Sequence, residues 1–233
     1  MVVALVLSGC AKSTVDKNND LGSGDKSNLP VTLESLIEHA EYCKAIYDSG
    51  GDQKDEVAFE VKQDNGISII VIRGTANDAN VLSDIDVRLV DDTRTGIKLH
   101  KGFRDVAVTI MQIIDTTKTL EHTVHVTGHS LGGAVAQIIG MWLHKRGKNV
   151  QIYSYGSPKV SSQVLDSQPT HWRVVRRSDP IPFTPPWPYY HTGLFIDSQD
   201  LDWGPDNDNG LISQTDGLDH AIAKYVETLK DQK

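Results

Sequence analysis

HVTGHSLGGAVAQ, residues 125–137, contains a glycine-rich corner from which the fold can be predicted. The residues from Thr123 to Thr127 are β-branched at every position except His125 and predict the end of a short buried strand. The residues from Leu131 to Lys145 predict a helix. Ser130 therefore lies at a strand-to-helix corner, in the pattern G-x-S-x-G that is typical of a nucleophile elbow.

The glycines of this corner have a steric purpose. A serine in a tight, strained turn needs neighbours without Cβ atoms, so Gly128 and Gly132 let the strand and the helix approach each other. The amide of Leu131, at the start of the helix, points to where an oxyanion would form. His129 lies inside the turn, which favours a packing or orienting role over that of a catalytic base.

Length, composition and charge narrow the class of protein. The 233 residues suit one domain, and 39% hydrophobic and 23% charged residues are ordinary for a globular protein. A net charge of −8 argues against a nucleic-acid partner, because no face could easily neutralise phosphates. No His or Cys cluster has zinc spacing, and the acidic residues 200–210 do not fit a calcium loop. We therefore expect no metal and no cofactor.

The partners of Ser130 can be sought by chain order, since an elbow serine is followed by an acid and then by a histidine. Asp179 comes just after a predicted strand that begins at His171, and the carboxyl ends of parallel strands share one edge of a sheet. Asp179 is therefore expected to meet Ser130, whereas His171 is not. His191 and His220 both remain candidates for the base, and a histidine on a loop, as at position 220, can reach a site fixed by rigid strands.

Four further motifs follow one another along the chain. They are Arg73-Gly74-Thr75, the helix start His100-Lys101-Gly102-Phe103, the turn Tyr155-Gly156-Ser157-Pro158-Lys159, and a segment from Arg173 through Asp179-Pro180-Ile181-Pro182 to Pro185-Pro186. Together with the elbow they resemble the class 3 (fungal-type) lipase family, from Glu34 to Leu229. The resemblance implies an α/β-hydrolase fold, in which helices flank a central, mostly parallel sheet in a single domain.

The same resemblance implies roles for individual residues. Asp219-His220 with Tyr225 is similar to the family motif that carries the catalytic histidine, so His220 rather than His191 is expected to complete a triad with Ser130 and Asp179. Thr75 is expected to supply the second oxyanion donor beside the Leu131 amide.

A second implication of the resemblance concerns the lid. Residues 76–98 take the place of the family's lid, where a polar composition with Val81 instead of the usual tryptophan predicts weak interfacial activation.

The activity implied is hydrolysis of carboxylic esters of lipids, as in a triacylglycerol lipase, through an acyl-enzyme on Ser130. A phospholipase A1 or an acyltransferase would use the same triad. An interpretation of another class is a non-catalytic envelope lipoprotein that binds lipid. The partners expected are therefore a lipid or ester substrate and, if the chain is anchored, a membrane.

The N-terminus suggests such an anchor. Val2 to Leu7 is a short aliphatic run, and Leu7-Ser8-Gly9-Cys10 resembles a bacterial lipobox, although no Lys or Arg precedes the run. We predict a signal peptide over residues 1–9, a lipid on Cys10, a flexible polar tether over residues 10–29 and the lipase-like domain over residues 30–233. The expected location is the bacterial cell envelope, with secretion as the alternative.

Overall fold

The computed structural model describes residues 23–49, 52–54, 57–74, 86–165, 168–205 and 218–233. Cys10, Thr75 and most of the predicted lid, residues 76–85, lie outside these ranges. The strands are β1 (Asp52–Lys54), β2 (Val57–Asp64), β3 (Ile67–Ile72), β4 (Leu89–Asp92), β5 (Ile97–His100), β6 (Thr123–His129), β7 (Asn149–Tyr155), β8 (Thr170–Val175), β9 (Leu194–Asp197) and β10 (Trp203–Pro205). The longer helices are α1 (Leu33–Ser49), α2 (Lys101–Thr117), α3 (Leu131–Lys145) and α4 (Ile222–Lys230).

Eight of the described strands form one sheet in the order β1-β2-β3-β6-β7-β8-β9-β10. The five strands from β3 to β9 in this order are mutually parallel, while β1 and β2 at one edge and β10 at the other are antiparallel to their neighbours. The expected mostly parallel central sheet is confirmed. Its topology brings the carboxyl ends of β3, β6, β7 and β8 to one edge, where the predicted site residues follow the strands.

Helices cover both faces of the sheet, and two hydrophobic clusters account for most of the core. On one face, α2 and α3 pack against strand residues such as Val124 and Val126. On the other face, α1 and α4 pack against Tyr155 and Val174. Because successive side chains of a strand point to opposite faces of the sheet, each strand contributes residues to both hydrophobic clusters.

Cys43 lies on the buried side of α1, where its thiol contacts Thr127 Oγ1 at 3.2 Å. Burial raises the pKa of the thiol to about 12, which suits a packing role.

The N-terminal part of the described chain differs from the sequence prediction. A flexible tether was expected up to residue 29, whereas residues 23–29 lie against the edge strand β10. Gly24 pairs with Trp203 through backbone hydrogen bonds of 3.0 and 2.9 Å, and the Trp203 indole donates to Asp25 O and Asn28 Oδ1, each at 3.2 Å. Polar composition predicted a solvated coil, but backbone pairing with an open sheet edge needs no apolar side chains.

A second difference concerns the predicted lid over residues 76–98. Its last ten residues are not a mobile cover, because β4 and β5 form a hairpin that packs into the core through Ile97. The buried carboxylate of Asp92 fixes the turn by accepting from the Thr95 amide at 2.9 Å and from the Trp142 indole at 2.9 Å. Among the described ranges, no helix is both long and apolar enough to cross a bilayer.

Candidate active site

Ser130 occupies the strained corner between β6 and α3. Its backbone has φ 58° and ψ −131°, a conformation that non-glycine residues rarely adopt, and the residue is only 2% exposed. The Ser130 N–H donates to Tyr155 O at 3.0 Å, and Ser130 O accepts from Gly133 N at 2.9 Å, so the corner is fixed on both sides. The first helical amide after it belongs to Leu131, whose N–H lies at the end of the helix that lacks intrahelical acceptors.

The two glycines of the elbow stand where no side chain fits. A Cβ on Gly128 would lie 2.2 Å from Gly132 O, and a Cβ on Gly132 would lie 2.2 Å from Ile72 O. Both obstacles are backbone atoms and cannot rotate away. The helix can therefore start directly against the ends of β3 and β6, as the sequence argument for these positions requires.

Asp179 and His220 form a buried pair at the same edge of the sheet. Asp179 follows β8, and His220 ends a short 3₁₀ turn, Leu218–His220, before α4. His220 Nδ1 lies 2.6 Å from Asp179 Oδ2, so the ring donates from Nδ1 and leaves Nε2 as an acceptor. That Nε2 atom is buried and has no hydrogen-bond partner among the described residues. Asp179 Oδ1 accepts from the Ile181 amide at 2.9 Å, which holds the carboxylate in place.

Two residues connect Ser130 to the Asp179–His220 pair. The first is His129, whose Nε2 donates to the backbone oxygen of His220 at 2.6 Å and whose ring centroid lies 4.6 Å from that of His220. The second is Gly156, which follows the Tyr155 carbonyl that holds Ser130. A Cβ on Gly156 would lie 2.8 Å from Asp179 Oδ2 and 3.1 Å from His220 Cε1.

Two tyrosine hydroxyls also contact residues of the site, and the sequence did not predict these contacts. Tyr225 Oη donates to Asp179 Oδ2 at 2.6 Å, and burial, reinforced by the Asp179 charge, raises the tyrosine pKa well above its usual value. Tyr47 Oη donates to His129 Nδ1 at 2.9 Å. Burial is the main reason that the pKa of His129 lies well below the usual histidine value, and repulsion from His220 lowers it further. The sequence places Tyr225 only within a motif, because residue spacing does not show which core hydroxyls reach a buried acid or base.

The other histidines considered as bases lie elsewhere in the hydrogen-bond network. His191 Nε2 donates to Pro182 O at 2.5 Å, and His171 Nε2 contacts Ser154 Oγ at 2.8 Å. Neither is bonded to Asp179. Thr75 and Cys10 lie outside the described residues, although Gly74, which precedes Thr75, is close enough that its Cβ would lie 3.1 Å from Ser130 Cβ. Within the described ranges, no group of three or more potential metal ligands converges.

Comparison with known families gives a match over residues 69–189, just over half of the chain, to the family described as lipase (class 3). A secreted mono- and diacylglycerol lipase of Fusarium solani is 33% identical over 167 residues, which are 64% of this chain and 50% of that protein. The chain spans about half the length of the curated relatives it matches.

Solved structures show the same fold. A lipase from Rhizopus microsporus var. chinensis superposes with a TM-score of 0.61 at 21% identity, covering 86% of this chain and 93% of that one. A triacylglycerol lipase whose catalytic centre is described as a serine protease triad superposes with a TM-score of 0.59 at 21% identity, covering 85% and 94%. The expected α/β-hydrolase fold is therefore confirmed.

Proposed function

The chain belongs to the class 3 lipase family, and we propose on this premise that it is a serine hydrolase that cleaves carboxylic esters of lipids. The observation that carries the proposal is the Asp179–His220 hydrogen bond. It fixes the tautomer in which Nε2 can accept a proton, beside a serine held in an elbow conformation. The relatives that share the family are named as lipases, which supports a lipid ester as the substrate class.

In the proposed reaction, His220 Nε2 takes the proton of the Ser130 hydroxyl while Oγ attacks the ester carbonyl carbon. The imidazolium returns that proton to the leaving alcohol as the ester C–O bond breaks, and Ser130 keeps the acyl group. Water, deprotonated by the same nitrogen, then releases the fatty acid. Asp179 orients the ring throughout and stabilises its charged form.

The oxyanion of each tetrahedral intermediate is assigned to the Leu131 amide and to Thr75. Leu131 is suited to this role because it is the first residue of α3, where amides face outward along the helix axis. Thr75 is assigned to this role because it directly follows Gly74 in the chain, and Gly74 lies against Ser130. Each donor is expected to contribute about 3 kcal/mol to the transition state.

A direct test uses an active-site phosphonate and a chromogenic butyrate ester. Ser130→Ala is expected to abolish covalent labelling and to lower kcat by at least about 10⁴-fold. Ser68→Ala is the matched control, because that buried hydroxyl lies on β3 and bonds to Gln63 at 3.0 Å rather than to the site. Labelling that survives Ser130→Ala would refute the assignment of the nucleophile.

The base is tested separately by replacing each candidate histidine. His220→Gln is expected to abolish turnover, whereas His191→Gln retains it, since His191 bonds to the Pro182 carbonyl and not to Asp179. The opposite pattern would assign the base to His191.

Product analysis distinguishes the alternatives that share the triad. Fatty acid released from a triacylglycerol indicates a lipase, release from the first position of a phospholipid indicates a phospholipase A1, and transfer to an added alcohol indicates an acyltransferase. A protein that binds lipid and neither labels nor hydrolyses would be the non-catalytic lipoprotein.

The lipid anchor at Cys10 remains a separate proposal, supported by the Leu7-Ser8-Gly9-Cys10 sequence alone. The relatives named above come from fungi, and one of them is called secreted. This favours secretion over attachment to a bacterial envelope. Mass spectrometry of the chain from a bacterial host would detect a diacylglyceryl group on Cys10. A wild-type mass equal to that of Cys10→Ser, apart from the substitution itself, would exclude the anchor.

A further inference from the structure

Two adjacent arginines, Arg176 and Arg177, connect strand β8 to the proposed catalytic acid. The strand ends at Val175, and Asp179 is the fourth residue after it. The turn between them is closed by a backbone hydrogen bond, because the Asp179 amide donates to Arg176 O at 3.0 Å. The position of the carboxylate therefore depends directly on how Arg176 is held.

The side chain of Arg176 reaches the segment that carries His220. Its Nη1 donates to Thr228 Oγ1 and, at 3.4 Å, to Lys224 O, which both belong to α4. Its Nη2 lies 3.5 Å from Oδ1 of Asp219, the residue before His220. The side chains of Arg176 and Asp219 are 11% and 31% exposed, so water and salt screen this ion pair less than a fully exposed one.

The backbone amide of Arg176 contacts α4 as well. It donates to Tyr225 Oη at 3.4 Å, and Tyr225 Oη donates to Asp179 Oδ2 at 2.6 Å. Arg176 thus bonds to the turn of the acid through its carbonyl and to α4 through its amide and its guanidinium. These contacts connect the loop of the acid to the segment of the base.

Arg177 makes its contacts with a different element. Its Nε lies 2.6 Å from Oδ2 of the buried Asp197, at the end of β9, and its Nη1 lies 3.4 Å from Asp200 Oδ2. Both carboxylates belong to the connection between β9 and β10, and neither contact involves the segment of His220. Two arginines of one loop therefore hold different neighbours, so each serves as a control for the other.

His220 needs such a connection because it is not part of the sheet. It lies in a three-residue 3₁₀ turn, whereas Asp179 follows a strand. Their 2.6 Å hydrogen bond weakens steeply with poor geometry, and a displacement of about 1 Å can lower a catalytic rate about 100-fold. We propose that Arg176 is a positioning residue that clamps the His220 segment to the Asp179 loop and keeps the acid and the base in hydrogen-bonding geometry.

The guanidinium group suits this role because it is planar and carries several donors. It reaches the Asp219 carboxylate and the two α4 acceptors at the same time. A lysine in its place would keep the positive charge but bring a single ammonium group. The proposal rests on the proposed function, in which His220 is the base, and it assigns Arg176 no contact with the substrate.

The first experiment measures kcat and KM on a soluble butyrate ester. Arg176→Ala is expected to lower kcat about tenfold and to change KM less than about twofold, because the substrate still binds while the acid and the base lose their alignment. Arg176→Lys should recover part of the loss. Arg177→Ala is the matched control, which should lower the midpoint of urea unfolding and leave kcat within about twofold of wild type. Unchanged kcat in Arg176→Ala, or equal losses in both alanine variants, would overturn the proposal.

The second experiment does not depend on turnover. A proton shared between His220 Nδ1 and Asp179 Oδ2 gives a far-downfield proton resonance, which His220→Gln identifies by removing it. The resonance should persist in Arg177→Ala and be lost or broadened by exchange in folded Arg176→Ala. An unchanged resonance in Arg176→Ala would overturn the clamp.

A second variant removes the partner instead of the arginine, in case Arg176→Ala does not fold. Asp219→Asn should weaken the same resonance and lower kcat with little change in KM, and an Asp219→Asn protein like wild type in both would overturn the proposal. Failure of the proposed function gives a different pattern. Wild type then cleaves no ester, yet the resonance is present and still depends on Arg176.

Discussion

At the scale of single residues, the Tyr225 hydroxyl donates to the same oxygen of Asp179 that accepts from His220. The carboxylate is thereby held from two sides, and the imidazole follows its orientation. Tyr225→Phe is expected to lower kcat for a soluble ester about tenfold, with little change in KM, because a hydrogen bond to a charged group contributes about 1.5–3 kcal/mol. Tyr155→Phe is the control, since its hydroxyl bonds to Leu36 O on α1. Equal losses in both variants would mean that the effect is general packing.

His129 has its tautomer fixed by its two partners. The His220 carbonyl can only accept, so Nε2 of His129 carries the proton and Nδ1 accepts from Tyr47. Tyr47→Phe leaves that buried nitrogen without the phenol donor and should reduce kcat several-fold while stability falls by about 1–2 kcal/mol. Tyr42→Phe, on the same helix but bonded to the exposed Glu38 at 2.7 Å, is expected to change neither. Normal kcat in Tyr47→Phe would remove the positioning role of His129.

Among the secondary-structure elements, the sequence predicts most accurately the bounds of those whose first and last residues are fixed by steric rules. Helix α3 spans Leu131–Lys145 as predicted, because the elbow sets its start and Gly147, at φ 82°, allows the chain to turn away after Arg146. The hairpin between β2 and β3 turns at Asn65 and Gly66, both at positive φ, and Asn and Gly are the residue types that tolerate this conformation.

Other elements could not be predicted from local pattern. Strands β1 and β10 have three residues each, too few to show an alternation, and they exist only because a neighbouring strand offers an open edge. The β4–β5 hairpin was missed because its anchor is a buried carboxylate, Asp92, which a sequence pattern assigns to solvent. Chain order and strand ends predict Asp179 as the acid but leave His191 and His220 open as the base, and the choice of His220 comes from the family resemblance. The tyrosine contacts depend on side-chain packing between helices and sheet.

The junction of β3 and α3 gives a prediction at this scale. Gly132→Ala would press a methyl group against the backbone of Ile72, whereas Gly140→Ala on the same helix would meet the flexible side chain of Ile152 at 2.5 Å. We expect Gly132→Ala to lose about 3 kcal/mol or more of unfolding free energy and Gly140→Ala about 1 kcal/mol. Urea unfolding measures both. A smaller loss for Gly132→Ala than for Gly140→Ala would contradict the close approach of helix and strand.

For the molecule as a whole, six histidines are buried among the described residues: His39, His100, His129, His171, His191 and His220. The pKa of His39 and of His100 is lowered to about 4, and that of His171 to about 3, in each case chiefly by burial. His39 shows how a neutral ring is accommodated, because it donates to Ser35 O at 2.8 Å, accepts from His125 at 3.1 Å and stacks on Tyr153 at 3.7 Å. None of these contacts offers a counter-charge to an imidazolium.

Acid should therefore unfold the protein. Between pH 6.5 and about 4, the unfolded chain binds protons on these histidines and the native state does not, so stability falls as pH falls through this window. Each such histidine lowers the unfolding free energy by about 1.4 kcal/mol per pH unit, so the three together remove about 10 kcal/mol by pH 4, which is comparable to a domain's total stability of about 5–15 kcal/mol. Urea titrations at pH 7.5, 6 and 5, followed by circular dichroism, measure the slope. His39→Gln should reduce stability at pH 7.5 but flatten the slope by about one proton, because the variant cannot titrate there. A native state as stable at pH 5 as at pH 7.5 would show that protonated histidines are tolerated inside the fold.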